Sequence, residues 1–497
     1  GSDNVAFGTS TLEDNTNGSN NVGVGRSALA NNISASNNTA VGRSALVANT
    51  NGANNVAVGA FSLDANTTAN ENTAVGYEAL TATTLGVANF AGGAYCLGSN
   101  TTGSYNVAAG LYSAYYSTTG AYNVSFGTNT FQTNTTGSNN VAIGKQALFT
   151  ADGADENIAI GKEALKVSTQ GYQVAIGSDA LKASTTGVLN VAVGYLALSS
   201  NTTGTKNVAV GAEALDSNTT GNNNTALGHR SLSASTTANS NAALGVDSLL
   251  SSTTGADNVA VGREAMRYST TASHCVAVGK QALDGLGSNP VTGGFNTAIG
   301  SGSLRRCQNA QGNNAVGYLS ARHVTTGSNN NAMGRQALES CTTGTGNIGI
   351  GGQALSGITT GNHNIGIGSN AGMGTNGSNN IIIGINATAA ATDSSNSITL
   401  GNSNINTLRC NVQTISSLSD ARDKTNVIDL PEGLDFITKL RPVKFEWATR
   451  DGNGKDGSFE HGFIAQDLQA AQKENDADYL NMVMDENPDR LEASYGK

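Results

Sequence analysis

Residues 190–206 read NVAVGYLALSSNTTGTK, and residues 207–223 continue directly with NVAVGAEALDSNTTGNN. The two stretches share the opening Asn-Val-Ala-Val-Gly, an Ala-Leu pair and a late Asn-Thr-Thr-Gly, each at the same offset. Self-similarity at a fixed short period is the mark of a repeat architecture. This pair therefore predicts that the chain is built from 17-residue units.

The opening pentad recurs through most of the 497 residues. We count 24 copies from Asn4 to Asn396, and 19 of the 23 steps between them share this 17-residue length. Steps of 16 lead to Gln173, Asn380 and Asn396, and a four-residue insertion around 285–290 delays the copy at Asn296. Disordered low-complexity sequence does not hold such a register, although its Gly, Asn, Ser and Thr bias is similar.

The residue types within one repeat predict its shape. Numbered from the Asn, positions 2 and 4 are mostly Val or Ile, position 3 is mostly Ala, position 9 is mostly Leu, and position 5 is Gly in 23 of 24 copies. Alternation at positions 2 to 4 is typical of a strand with two unlike faces, and Gly at positions 5 and 15 suits turns or close backbone approach. We expect two short strands and two turns per unit, which makes one coil of a β-solenoid. Gly-x-x-Ala-Leu segments are too short for helices.

Stacked coils place identical side chains above one another, Leu on Leu and Asn on Asn. At ~4.8 Å per coil the shaft should extend about 110 Å. A coil this thin leaves position 2 or position 4 outward as an apolar stripe, which would aggregate unless it met a partner. Three identical shafts can bury the stripe around a threefold axis, so we expect a homotrimer.

Composition excludes several function classes. A net charge of −10 does not favour nucleic-acid binding, and no apolar run reaches the length of a membrane span. Five cysteines without CxxC spacing indicate neither a zinc site nor a disulfide framework. The acidic residues of the shaft are scattered and do not form the carboxylate pair of a glycosidase. No cofactor or metal is expected, and the shaft is expected to be non-enzymatic.

The repeat core resembles the head repeats of trimeric autotransporter adhesins, although those repeats are shorter, and it is also similar to phage and phage-like tail fibres.

The end of the chain differs in composition: residues 411–497 carry 27 of the 62 charged residues and the only tryptophan, Trp447. We therefore expect three parts. These are a shaft at 1–403, a linker at 404–418, and a small α+β domain at 419–497.

Three ordered motifs mark this last domain. They are Ser419-Asp420-Ala421-Arg422-Asp423-Lys424, Leu440-Arg441-Pro442-Val443-Lys444-Phe445-Glu446-Trp447 and Gly462-Phe463-Ile464-Ala465-Gln466. Together they resemble the self-cleaving intramolecular chaperone first recognised on endosialidase tail spikes. The likeness covers the segment 419–497.

The resemblance implies an activity. Domains of this family trimerise, guide the folding of the fibre before them, and cut themselves off at the Ser of the first motif. Here the scissile bond would be Leu418–Ser419, with Ser419 as nucleophile and Lys424 as its base in a single-turnover reaction. Asp420 and Arg422 would orient the motif, and His461 is expected to be structural. The family's long C-terminal helix should start near Tyr495, where this sequence stops, so we expect that helix to be missing.

The sequence thus predicts a fibre of a virion or phage-like particle that attaches to a host surface, located in the virion tail or outside the cell. Expected partners are two further copies of the chain, a glycan or protein receptor, and other tail or baseplate proteins. The alternative is a bacterial trimeric surface adhesin built from similar coils. A third class is an enzyme that acts on surface polysaccharide. Such an enzyme needs clustered carboxylates, which the sequence does not show.

Overall fold

A computed structural model describes residues 1–405, 425, 433–446, 457, 459–480, 482–484 and 491–493. The chain divides into two compact units, residues 1–313 and residues 314–497. Repeat positions below are numbered from the Asn that opens each coil.

The first unit is a parallel stack of three-residue strands, one from each coil. Neighbouring strands pair at a 17-residue step, as in Val56↔Thr73, with a 16-residue step at Ile158↔Val174 and a 21-residue step at Val276↔Thr297. These registers confirm the predicted period, its one shortened step and its insertion. Strands β1–β18 are Val5–Phe7, Val22–Val24, Thr39–Val41, Val56–Val58, Thr73–Val75, Phe90–Gly92, Val107–Ala109, Val124–Phe126, Val141–Ile143, Ile158–Ile160, Val174–Ile176, Val191–Val193, Val208–Val210, Thr225–Leu227, Ala242–Leu244, Val259–Val261, Val276–Val278 and Thr297–Ile299.

The core of each coil is narrow and made of small side chains. Position 3 of the strand points inward, so Ala74 is fully buried, while its neighbours Thr73 and Val75 face outward. Ala79 and Leu80, at positions 8 and 9, fill the remaining space and are also fully buried. Only Ala, Gly or a similarly small side chain fits opposite a buried Leu at this width, which explains why position 3 is so uniform.

Buried asparagines form ladders along the stack, as predicted. The Nδ2 of Asn55 donates to the carbonyl of Ala69 in its own coil at 2.9 Å, and its Oδ1 accepts the backbone N–H of Asn72 in the next coil at 2.9 Å. A second ladder lies at position 12, where the Nδ2 of Asn66 donates to the Oδ1 of Asn49 at 2.9 Å. These amides satisfy backbone groups that the tight turns leave without a strand partner.

The turn after each strand depends on glycine at position 5. Gly59 has φ +142°, and a Cβ there would lie 2.2 Å from the carbonyl oxygen of Gly76 in the next coil. Leu63, at position 9, also adopts a left-handed backbone with φ 51°. The buried leucines therefore hold a conformation that costs roughly 1–2 kcal/mol per residue, and packing must offset it.

The expectation of two strands per coil is wrong, because each coil contains one. On the other side the chain is joined from coil to coil by hydrogen bonds between turns. The backbone N–H of Thr50 donates to the carbonyl of Thr67 at 2.9 Å, and the Oγ1 of Thr50 donates to the same oxygen at 3.1 Å. A second strand does not form because positions 7 and 9, as at Ser44 and Leu46, have left-handed backbones with φ 57° and 53°.

The insertion at 285–290 is a small loop that follows a buried carboxylate. Asp284 is only 2% exposed, its Oδ1 lies 3.3 Å from the Nε of Arg267, and its Oδ2 lies 3.8 Å from the Nε of Arg305. Burial raises the pKa of Asp284 to about 6, against the opposing pull of the two arginines. The loop closes on itself through a bridge between Leu286 and Asn289.

The second unit begins with six more strands of the same kind. Strands β19–β24 are Asn314–Val316, Asn331–Met333, Ile348–Ile350, Ile365–Ile367, Ile381–Ile383 and Ile398–Leu400. Ile365 pairs with Ile381 at the predicted 16-residue step. The final 16-residue step, to Asn396, is wrong. Ile381 pairs with Ile398 and the N–H of Ser397 donates to the Oδ1 of Asn380 at 3.1 Å, so the last coil opens at Ser397, a full 17-residue step later.

The described part of the C-terminal region contains helices and short antiparallel strands. Its elements are α1 Gly433–Lys439, β25 Val443–Glu446, β26 Phe459–Gly462, α2 Ala465–Glu474, a 3₁₀ turn Asp478–Leu480, β27 Val483–Met484 and β28 Glu492–Ala493. Strand β25 pairs with β26, and β27 pairs with β28. The prediction of a mainly β solenoid with a 17-residue period and a small α+β region is confirmed, and the 24 predicted coils correspond to 24 strands and about 23 turns.

Candidate functional site

The predicted cleavage motif lies outside the described residues. This holds for the scissile bond Leu418–Ser419 and for Ser419, Asp420, Arg422 and Lys424. The proposed roles of these residues therefore remain predictions from sequence. The other two motifs of the resemblance fall largely on described residues.

Those two motifs lie side by side. Arg441, just before β25, places its Nη2 2.9 Å from the Oδ2 of Asp467 in the first turn of α2, and its Nε donates to the same oxygen at 3.1 Å. Both side chains are largely exposed, so the ion pair contributes roughly 0–1 kcal/mol and mainly fixes the approach of the two segments. The Gly462-Phe463-Ile464-Ala465-Gln466 motif joins the end of β26 to the start of α2.

A small apolar core supports this arrangement. Phe436 of α1 packs with Ala471 of α2 and with Ala477, and Leu440 and Leu480 border the cluster. The Nζ of Lys439 donates to the Oδ1 of Asn475 at 2.8 Å and so ties the end of α1 to the end of α2. The segment that follows the cleavage motif therefore has a helical core of its own.

The strand pair β25–β26 places His461 opposite Lys444 in antiparallel register. His461 is exposed, and the Nζ of Lys444 lies 4.9 Å from the centre of the Phe459 ring. The structural role expected for His461 stays a prediction, because the cleavage motif lies outside the described residues.

The shaft carries the predicted apolar stripe. We define the outer stripe as the position 4 side chains of the strands, with those of position 2 beside them. In the first unit ten position 4 side chains are between 36% exposed, at Val41, and 45% exposed, at Leu244. Further members are Val58, Val75, Phe126, Ile143, Ile176, Leu227, Val278 and Ile299, and in the second unit Met333, Ile350, Ile367 and Ile383. The terminal Phe7 is 76% exposed, and five further members of the first unit are half-buried, namely Val24, Ile160, Val193, Val210 and Val261. An apolar strip repeated on successive coils exceeds the isolated exposed side chains normal for a soluble monomer.

The charged side chains of the shaft form ion pairs within and between coils. Glu163 lies 2.8 Å from the Nζ of Lys182 and 3.3 Å from that of Lys166. The hydrogen bond from Lys182 lowers the pKa of Glu163. Arg230 and Asp247, both at position 7, pair at 2.9 Å. Within the described ranges, no group of three His, Cys, Asp or Glu side chains is arranged to hold a metal ion.

One surface feature escaped the sequence analysis. Seven of the 13 tyrosines lie between residues 77 and 122, and this clustering was the available signal. Six aromatic rings on four successive coils touch one another on the surface, and we call this group the tyrosine patch. Its members are Phe61, Tyr77, Tyr95, Tyr112, Tyr115 and Tyr116.

Comparison with known families gives one match. Residues 419–476 match the family model described as "Chaperone of endosialidase". Comparisons with curated proteins and with solved structures found no match. Among the helices that the structure describes, none is long and apolar enough to cross a membrane. The family match and the solenoid shaft before it fit a tail fibre with a C-terminal chaperone of the endosialidase type.

Proposed function

We propose that this chain is the trimeric fibre of a virion or phage-like particle, which attaches the particle to a host surface. Its C-terminal domain acts as an intramolecular chaperone and then cuts the chain at Leu418–Ser419. The observation that carries the proposal is the chaperone match at 419–476, directly after a shaft whose outer stripe is open in the single chain. Its place would be the virion tail or outside the cell, with other tail or baseplate proteins as partners.

The outer stripe supplies the energy for trimer formation. Burying a whole Val, Leu or Ile side chain is worth roughly 1.5–3 kcal/mol, and ten position 4 side chains of the first unit still expose about two fifths of theirs. Each coil with such a side chain therefore offers about 1 kcal/mol per chain. The free energy summed over the shaft is large. Sliding one chain along another by one coil would preserve almost all of it. Identical coils thus favour association without choosing a register, which gives a chaperone a task.

The chaperone would supply the missing register by bringing three chain ends together before the coils pair. Cleavage afterwards makes assembly irreversible. In the proposed reaction Lys424, as the neutral amine, takes the hydroxyl proton of Ser419, and the Oγ attacks the carbonyl carbon of Leu418. The C–N bond between Leu418 and Ser419 breaks as the α-amino nitrogen of Ser419 takes that proton from Lys424. Water then hydrolyses the ester between Leu418 and the Oγ. Asp420 and Arg422 would position these groups.

A bacterial surface adhesin remains the second candidate, because the repeats resemble adhesin heads and the same outer stripe would serve it. The chaperone match favours the fibre.

The cleavage test uses the complete gene product. It should release a fragment whose new N-terminus is Ser419, as read by intact mass and N-terminal sequencing. Ser419→Ala should abolish release, Lys424→Ala should slow it severely, and Ser417→Ala is the matched control that should cleave normally. Cleavage of the Ser419→Ala protein after Leu418 would rule out the proposed mechanism.

The chaperone and attachment roles need separate tests. The shaft expressed without residues 419–497 should aggregate, and full yields of trimer from it would remove the chaperone role. The trimer should bind cells of a susceptible host. Failure to bind any host surface would remove attachment while leaving the fibre assignment in place.

A further inference from the structure

The tyrosine patch is an ordered group of rings, with each ring held by its neighbours. Tyr95 and Tyr112 stack at 4.8 Å with their planes 8° apart. Tyr115 meets Tyr112 edge to face at 5.5 Å and Tyr116 at 4.7 Å, and Tyr77 meets Tyr95 edge to face at 5.3 Å. Both geometries are favourable for aromatic pairs, so the rings are pre-ordered before any ligand arrives.

The backbone leaves room for one of these rings. A Cβ on Gly98 would lie 2.6 Å from the Cε2 of Tyr115, so glycine at this site lets the ring lie against the coil. Position 10 carries larger side chains in other coils, such as Thr81 and Lys166, so the coil itself does not require glycine there. At the other end of the patch, the guanidinium of Arg43 lies 4.8 Å from the centre of the Phe61 ring.

The patch lies apart from the outer stripe. Its rings occupy positions 6, 7, 10 and 11, whereas the stripe occupies positions 2 and 4. Positions 8 and 9 between them point into the core, as Cys96 and Leu97 do. The patch therefore begins after the strand and continues onto the turn beyond it, so a trimer closed along the stripe would leave it open to solvent.

The size of the patch favours a small ligand over a protein. Tyr77 and Tyr116 are 43% and 48% exposed and the other four rings are half-buried, which leaves roughly 400 Å² of free aromatic surface. A stable protein interface needs about 800 Å² per partner. Four coils span about 14 Å along the axis, which matches a short chain of sugar rings.

The chemistry of the patch favours a neutral ligand that has both apolar faces and hydroxyl groups. A pyranose ring has this character, because one face presents C–H bonds and its rim carries hydroxyls. Tyrosine offers the complement, a flat face with a hydroxyl that can donate and accept. The charged side chains in contact with the rings, Arg43 and Glu78, have opposite signs. A strongly charged glycan would find no matching net charge here.

From this surface we infer that the tyrosine patch is a binding site for a neutral oligosaccharide, whose sugar rings stack on Tyr77, Tyr112, Tyr115 and Tyr116. The inference rests on the proposed attachment function and names the receptor chemistry. Each copy of the chain supplies one patch, so a trimer would present three. Weak single sites would then give firm attachment to a surface dense in such glycans.

The test measures binding of the intact trimer to an array of neutral and acidic oligosaccharides, followed by titration of the neutral ones that bind. The patch variant is Tyr112→Ser with Tyr115→Thr, because Ser44 and Thr81 occupy these positions in nearby coils. The control is Tyr105→Asn with Tyr122→Asn. That pair stacks at 5.0 Å at position 17 of the same coils, where Asn37 and Asn54 occur. Gly98→Ala displaces the Tyr115 ring and removes no aromatic group.

The patch variant should lose roughly tenfold or more in affinity for neutral oligosaccharides, as when central aromatic contacts are removed. Gly98→Ala should weaken binding less, and the control should bind normally.

Unchanged glycan binding by the patch variant would overturn the inference, as would binding confined to acidic glycans. So would loss of the trimer in the patch variant alone, which would make the patch a self-association surface. Host-cell binding that the variant loses but that survives periodate oxidation of the cells would indicate a protein receptor. Cell attachment without any array binding would contradict the inference and leave the proposed function standing.

Discussion

Replacement of one buried ladder asparagine, Asn207→Ala, tests the interaction that most distinguishes this solenoid. Asn207 is fully buried. Its Nδ2 donates to the carbonyl of Gly221 at 2.8 Å, and its Oδ1 accepts the backbone N–H of Asn224 at 2.9 Å. The side chain thus joins the two ends of its own coil and connects that coil to the next.

The structure sets the size of the effect. After truncation the carbonyl of Gly221 keeps one donor, the Nδ2 of Asn218 at 3.1 Å, so its loss is one net hydrogen bond of about 1 kcal/mol. The N–H of Asn224 loses the one acceptor it has, and an unsatisfied buried donor costs ~1–3 kcal/mol. We expect a total destabilisation of roughly 2–4 kcal/mol.

Denaturant unfolding of the assembled protein, followed by far-ultraviolet circular dichroism, measures this difference. Where unfolding does not reverse, the unfolding rate replaces the free energy. Thr203→Ala, at an exposed position of the preceding coil, is the matched control and should stay within about 0.5 kcal/mol of the parent. An Asn207→Ala protein as stable as the Thr203→Ala control would refute the idea that the ladder holds the coils together.

Three further substitutions or reactions follow from the same structure. Gly211→Ala forces a side chain onto a backbone with φ +139° and places its Cβ 2.4 Å from the carbonyl oxygen of Gly228. It should destabilise the shaft by roughly 2–4 kcal/mol or prevent folding, and a normal melting temperature would contradict the coil geometry. The folded state holds the proton of Asp284 more tightly than the unfolded chain does, because burial raises its pKa from 3.8 to about 6. Stability from this group is therefore present below pH 4 and is lost as the pH rises through 6. Asp284→Asn should accordingly melt higher than the parent at pH 7 and close to it at pH 4, and a lower melting temperature at pH 7 would mean that the arginine pairs outweigh burial. Burial raises the thiol pKa of Cys307 to about 12 and of Cys341 to about 11, so neither should react with a thiol reagent until the shaft unfolds, and rapid labelling of the native protein would show that these coils open.

The sequence predicted the features that repeat in every coil. Alanine at position 3 and leucine at position 9 identify the buried face, and asparagine at position 1 predicts a ladder, because stacking repeats each contact. The absence of a second strand was not predictable from the residue types alone, since it follows from the left-handed backbones at positions 7 and 9, as at Ser44 and Leu46. The last register failed because Asn396 precedes Ser397 and mimics the usual opening residue. Gly401 at position 5, which the turn requires, was the better guide.

The candidate sites differ in how far the sequence could predict them. The outer stripe follows from strand alternation, and the chaperone follows from three short ordered motifs. The tyrosine patch was missed because each ring looks like an ordinary substitution at a variable surface position. Only the stacking of coils shows that Tyr95 and Tyr112, which lie one coil apart along the chain, touch. Contacts between variable positions depend on which coils carry them, and a consensus repeat averages that information away.

The mass of the assembled protein in solution tests the central claim most directly. The measurement is best made on the Ser419→Ala protein by analytical ultracentrifugation, because cleavage then cannot change the mass. A shaft that buries its outer stripe around a threefold axis predicts a single species of about 150 kDa, three times the 50.1 kDa of one chain. A folded, soluble species of about 50 kDa, with the stripe left open to water, would contradict the account.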